Sequence, residues 1–204
     1  MKSRLLGAVV ALLLGTVPSP SRAQGIVVDF NAVSPGTVVG DLGGVGFRYA
    51  PDDFRSSGFP LVVSSGFASS SGRHYLGVQD GRSQFFQPGD GLALTLAAPV
   101  DRLAVSFIVP KTAPDGAFGL SAASTSVTST SANRVMLPTG DSAYTVHLVS
   151  PSPFTSASVF SDASSAPAFS IDDIVVPEPE SAPLVVGGVV ALGGLARTRT
   201  RRRR

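Results

Sequence analysis

Leu92-Ala93-Leu94-Thr95-Leu96-Ala97, followed by Ala98-Pro99-Val100-Asp101-Arg102 and then Leu103-Ala104-Val105-Ser106-Phe107-Ile108-Val109, is the stretch that decides the fold. Large apolar residues at every second position place Leu92, Leu94 and Leu96 on one face and Ala93, Thr95 and Ala97 on the other. That is the period of a half-buried strand. Leu103, Val105, Phe107 and Val109 repeat the pattern after a predicted turn at Pro99-Val100-Asp101. Tyr144, Val146 and Leu148 do so again, opposite Thr145 and His147.

Working outward, the same reading predicts strands over residues 26–30, 45–49, 61–63, 83–86, 117–122, 156–160 and 169–176. Ser34-Pro35-Gly36, Gly43-Gly44, Asp80-Gly81, Pro88-Gly89-Asp90-Gly91, Pro114-Asp115-Gly116 and Pro138-Thr139-Gly140-Asp141 separate them. Gly and Pro there supply the φ values that tight turns require. Residues 121–131, rich in Ser and Thr, read either as an exposed strand or as a loose loop, with Thr and Val favouring the strand. No part of the body carries a 3.6-residue apolar stripe. Many short strands at near-regular spacing point to an all-β sandwich or barrel.

The two ends differ from this body. Lys2 and Arg4 precede an apolar run over residues 5–17, which Pro18 and Pro20 break before Ser21-Arg22-Ala23. Charge, short apolar run and small residues in that order form a secretory signal peptide, with cleavage by signal peptidase expected after Ala23. The far end carries Pro177-Glu178-Pro179, an apolar segment at about 182–196, and Arg197, Arg199, Arg201, Arg202, Arg203 and Arg204.

These ends disguise the charge of the body. The full chain has 16 basic and 14 acidic residues, a formal net charge of +2. Residues 24–176 hold seven basic against twelve acidic residues, a net of −5, and every one of the twelve acids is Asp. The basic balance therefore belongs to the processing segments, and it gives no ground for nucleic-acid binding. The chain has no Cys, which excludes disulfides, thiolate metal sites and a Cys nucleophile.

Val176-Pro177-Glu178-Pro179, the apolar segment and the closing arginines together resemble the PEP-CTERM sorting signal of Gram-negative bacteria. The resemblance covers the last 29 residues. Ser181 stands one place later than the usual Ser, behind Glu180, and the apolar segment is rich in Gly. Residues 183–196 make ~21 Å of helix, against a hydrocarbon core of ~30 Å, so the implied membrane helix is short. The resemblance implies export, a membrane-anchored precursor with its arginines cytoplasmic, and processing by an exosortase. It also implies a place at the cell surface or in an exopolysaccharide-associated biofilm matrix.

The body resembles, more loosely, the jelly-roll domains that accompany such tails and are related to carbohydrate-binding modules. Val28-Asp29-Phe30 with Pro35-Gly36-Thr37-Val38 and Gly44-Val45-Gly46-Phe47 resembles the opening hairpin. Ser71-Gly72-Arg73-His74-Tyr75-Leu76-Gly77 resembles a middle strand and its turn. Phe169-Ser170-Ile171-Asp172-Asp173-Ile174-Val175-Val176 resembles the closing strand. The implied organisation is a signal peptide (1–23), a jelly-roll-like β-sandwich (24–176) and a sorting signal (177–204).

Asp172-Asp173, two acids inside an apolar strand, are the sharpest anomaly of the body, because burying unpaired carboxylates is costly. Alternation puts them on opposite faces. The resemblance implies a structural Ca²⁺ held by an acid of the closing strand with Asp29 and backbone carbonyls. The plainer reading has one Asp in solvent and the other bonded to backbone or to an Arg. Asp52-Asp53 read as a solvated loop. His74, in a Gly-flanked turn, and His147, on a solvent-facing strand position, read as structural.

No G-x-S-x-G elbow, P-loop or dinucleotide fingerprint occurs, and the body has no Glu for a mixed carboxylate pair. A sugar platform would have to come from Tyr49, Tyr75, Tyr144 or one of Phe85-Phe86, since the chain has no Trp. The expected function is that of a non-catalytic exported surface or matrix protein. A carbohydrate-binding module for an exopolysaccharide is the alternative, and a secreted hydrolase the remote one.

Overall fold

The computed structural model describes residues 25–51, 59–65, 72–79 and 84–177. The signal segment with Ala23, Asp52-Asp53, and the tail from Glu178 through Pro179 to the arginines lie outside these residues.

Eleven strands appear in chain order: β1 (Ile26–Val28), β2 (Asp41–Leu42), β3 (Val45–Ala50), β4 (Leu61–Ser65), β5 (His74–Val78), β6 (Gly91–Val109), β7 (Phe118–Ala122), β8 (Thr125–Thr128), β9 (Arg134–Met136), β10 (Ser142–Ser161) and β11 (Ser170–Val176). A 3-10 turn over Ser131–Asn133 is the one helical element among the described residues. All pairings are antiparallel. The all-β expectation is met.

β6 and β10 organise the molecule. They pair along nearly their whole length, from Ser142 opposite Val109 to Phe160 opposite Gly91. The first part of β6 also pairs β3, and the last part of β10 pairs β7, which pairs β8. The second part of β6 pairs β11, which is joined by β5 and β1. Hydrogen bonding is thus continuous, yet the long pair passes through two half-sheets.

The half-sheets face one another over aromatic rings. Phe107 of β6 stacks on Phe118 of β7 at 4.9 Å, and Phe118 meets Phe169, just before β11, at 5.1 Å. Phe86 stacks on Phe169 at 5.1 Å. All four are fully buried, each stabilising the fold by about 1.5–3 kcal/mol relative to exposure. The arrangement is a sandwich-like pair of layers.

The Pro99-Val100-Asp101 segment is a bend inside one continuous strand rather than a turn between two. Leu92, Leu94, Leu96 and Val100 face the core before it, and Leu103, Val105, Phe107 and Val109 face the core after it. The inward set therefore changes from even to odd positions. Proline has no N–H for the ladder and is tolerated at such a place. β10 answers with register shifts between Val149 and Ser156, around Pro151 and Pro153. There the Ser150 hydroxyl donates to Ser152 O at 2.7 Å, supplying a local bond where the ladder lapses.

Two further expectations change. The described residues 84–86 of the expected strand hold none, and Phe86 makes a single bridge to Phe169. Residues 121–131 hold the end of β7, a tight turn at Ala123-Ser124, β8 and the first residue of the 3-10 turn, so the strand reading holds over Thr125–Thr128 and does not describe the whole stretch.

Candidate functional groove

Alternation buries Phe47, Leu92, Leu94, Val159 and Leu120 on the inner side of the half-sheet β3–β6–β10–β7. The residues between them line its outer side, and the register aligns them in two rows. One row is Gly46, Thr95 and Ser156; the other is Arg48, Ala93, Ser158 and Ser121. Every member except Arg48 is small. Together with Gly40 and Ala123 they line an open groove of about 560 Å³.

Four strands at about 4.8 Å spacing make this trough roughly 14 Å across. Arg48 is the only ionisable side chain lining it. Among the described residues its guanidinium has no hydrogen bond or ion pair, and the hydroxyls of Thr95, Ser121, Ser156 and Ser158 have no partner within the protein. The groove thus offers guanidinium donors and several free hydroxyls on a floor without bulky side chains.

Two devices set the shape of this region. Ala123, in the tight turn from β7 to β8, has φ +50°. An L-residue there costs about 1–2 kcal/mol, a strain held at the groove's edge. Beneath β3, the Tyr49 hydroxyl donates to Asp90 Oδ1 at 2.7 Å, and Gln87 N–H donates to Oδ2 at 2.6 Å. Asp90 is buried, and these bonds fix the turn entering β6 to β3.

The acids singled out in the sequence are placed differently from expectation. On β11 the pairing with β6 slips between Ile171 and Ile174, so that both of these residues point into the core although they are three apart. The bulge removes strict alternation at Asp172 and Asp173, and the opposite-face reading does not hold. Asp172 is fully buried and Asp173 half-buried. Asp29 is exposed, with Oδ1 accepting the Asn31 N–H at 3.0 Å. The register pairing Val28 with Ile174 sets Asp29 and Asp173 at neighbouring positions. Among the described residues, no three His, Cys, Asp or Glu side chains gather to hold a metal ion.

His74 opens β5 instead of lying in a turn, half-buried, and its Nδ1 has no hydrogen-bond partner among the described residues. His147 is exposed on β10, with β11 and β6 between it and β5. Tyr49, Tyr75 and Tyr144 are all buried, so none presents a ring for sugar stacking. Burial holds the Tyr75 phenol above its ordinary pKa. Tyr144 OH donates to Ala113 O and accepts from Ala113 N–H. Phe86 is core, while Phe85 is half-buried and stacks on Tyr75 at 5.8 Å.

Pro177, the first residue of the expected sorting motif, is the last described residue. Val176 pairs with Ile26, and Pro177 is half-buried against Gly25, where a Cβ would come within 3.0 Å of the Pro177 Cα. No helix among the described residues is long and apolar enough to cross a membrane.

The groove is a feature that sequence reading missed. Its available signal was the uniform smallness of the residues alternating with Leu92, Leu94 and Val159. No protein-family model and no curated protein matches this sequence. Among solved structures, the chain is similar to the catalytic domain of Agl-KA at 12% identity and a TM-score of 0.34, over 76% of this chain and 27% of that one.

Proposed function

We propose that this chain is an exported, non-catalytic surface or matrix protein, made as a membrane-anchored precursor and processed at its tail by an exosortase. The domain would be a jelly-roll-like sandwich over residues 24–176, in the setting of an exopolysaccharide or biofilm matrix. One observation carries the proposal: β1 and β11 pair at their outer ends, Ile26 with Val176. The two ends of the described sheet therefore lie side by side, one close after the proposed signal cleavage at Ala23 and the other close before Glu178. In processing the chain is substrate, with Pro177, Glu178 and Pro179 as recognition residues. Proline disfavours helix at its own position and at the residue before it, as a segment read by a protease requires.

Glu178→Ala is expected to leave full-length precursor in the membrane fraction. Normal maturation of that variant overturns the assignment.

A second reading, carbohydrate binding, is favoured by the groove. Its hydroxyls and Arg48 suit hydrogen bonding to a polysaccharide, without the aromatic platform of many sugar sites. A glycan array probed with residues 24–176 tests it. Hits that Ser158→Trp abolishes by filling the groove support it, and a blank array removes it. The structural Ca²⁺ implied by the resemblance would involve Asp29 with Asp172 or Asp173. A higher Tm in Ca²⁺ than in EDTA is its test, and an unchanged Tm removes it.

A further inference from the structure

Both exits from the folded domain lie at one place. β1 starts at Ile26 beside the last residue of β11, Val176, and Gly25 packs against Pro177. A notch lined by Ile26, Val45, Leu96, Val100, Val176 and Pro177 opens there, almost without polar surface. Ile26 and Val27 are 45% and 56% exposed. At the neighbouring bend, Val149, opposite Arg102, is 61% exposed.

Chain length limits how far this pole can stand from a bilayer. Only residues 178–181 separate Pro177 from the apolar segment that begins at about 182. Fully extended, four residues reach at most about 14 Å, roughly twice the ~5–7 Å depth of one interfacial region, so the pole cannot stand far above the headgroups. On the other side, only Gln24 separates Gly25 from the proposed signal cleavage.

We infer that the pole formed by β1, the end of β11 and the β6 bend rests on the lipid surface in the anchored precursor, with Ile26 and Val27 in the interface. This rests on the membrane-anchored reading of the tail. The contact is apolar rather than electrostatic. Arg102, the cation at the bend, has Asp101 beside it, 3.9 Å away. Residues 101–102 therefore add no net charge to attract anionic headgroups.

The absence of Cys makes the test direct. Val27→Cys and Val135→Cys each introduce one labelling site at an exposed position. Val135, on β9, lies across β10 from Ile108 of β6, eight β6 residues from Val100, about 26 Å along the strand. The full-length precursor, carrying an environment-sensitive fluorophore at either site, is reconstituted into phosphatidylethanolamine–phosphatidylglycerol vesicles. These contain lipid spin-labelled near the headgroup.

The expected result is blue-shifted emission and loss of fluorescence at position 27, with neither at position 135. Precursor that floats with the vesicles but behaves alike at both positions overturns the inference and leaves the anchor intact. Precursor that does not float overturns the anchor, and the inference with it.

Discussion

The two sides of the half-sheet β3–β6–β10–β7 use one backbone for opposite purposes. Inward, Phe47, Leu92, Leu94, Leu120 and Val159 close against the second half-sheet and its aromatic cluster. Outward, the intervening positions hold Gly46, Ala93, Thr95, Ser121, Ser156 and Ser158, with Arg48 as the lone large side chain. Strand periodicity alone would permit long polar residues there, as on most solvated sheet faces. Their consistent smallness is what makes a groove. The inner side is thus specified by volume, and the outer side by its lack.

This contrast predicts a wide spread of mutational effects. Phe118→Ala, which removes a fully buried ring touching Phe107, Phe169 and Tyr144, is expected to cost about 3–5 kcal/mol. Chemical denaturation reads this as a large fall in midpoint. Tyr49→Phe withdraws a bond from buried Asp90 and is expected to cost about 1–3 kcal/mol, read the same way. Ala123→Gly should raise stability by up to about 1 kcal/mol, by relieving the positive φ at the groove's edge. A thermal melt checks the sign, and a lowered Tm contradicts the strain argument. Thr95→Ala and Ser158→Ala should each stay within about ±0.5 kcal/mol, because neither hydroxyl holds the fold. A loss as large as that of Tyr49→Phe would end the division of labour between the two sides.

The smallest expected effect lies outside both. Asp162 accepts hydrogen bonds from Ser164 N–H, Ser164 Oγ and Ser165 Oγ. The Ser164 backbone bond, first, and the two hydroxyls hold its pKa below the ordinary carboxylate value. Its contribution is therefore complete above the unfolded-state pKa and lost as pH falls through the lower folded value. Asp162→Asn should lower the neutral plateau of a stability-versus-pH curve slightly, with the difference from the native chain shrinking as pH falls, so that the acid limb is flatter.

Much of the layout was legible because period-two alternation survives wherever one face is buried. Leu92 to Leu96 and Tyr144 to Leu148 were readable for that reason. The continuity of β6 and β10 was not. Pro99 and the Pro151–Pro153 pair look like turn signals, and only the opposing strand shows that they align as a shared bend. Alternation also misplaced Asp172 and Asp173, because a bulge is a property of two strands and one strand's sequence does not record it. The groove stayed hidden for a related reason. Its lining comes from four strands far apart in sequence, and no local motif unites Arg48 with Ser121 and Ser158.

β11 has a consequence for assembly. It is the final strand of the described fold, yet it lies between β5 and β6, as a central strand rather than an edge. A chain that emerges amino end first must therefore present about 150 residues of unfinished sheet before the missing member arrives. Until Ser170–Val176 docks, the facing edges of β5 and β6 stay open, and exposed strand edges invite pairing with other chains. Closure depends on contacts between distant parts of the sequence, which slows folding. The same short strand that leads into the tail is the one whose arrival ends the period of greatest aggregation risk.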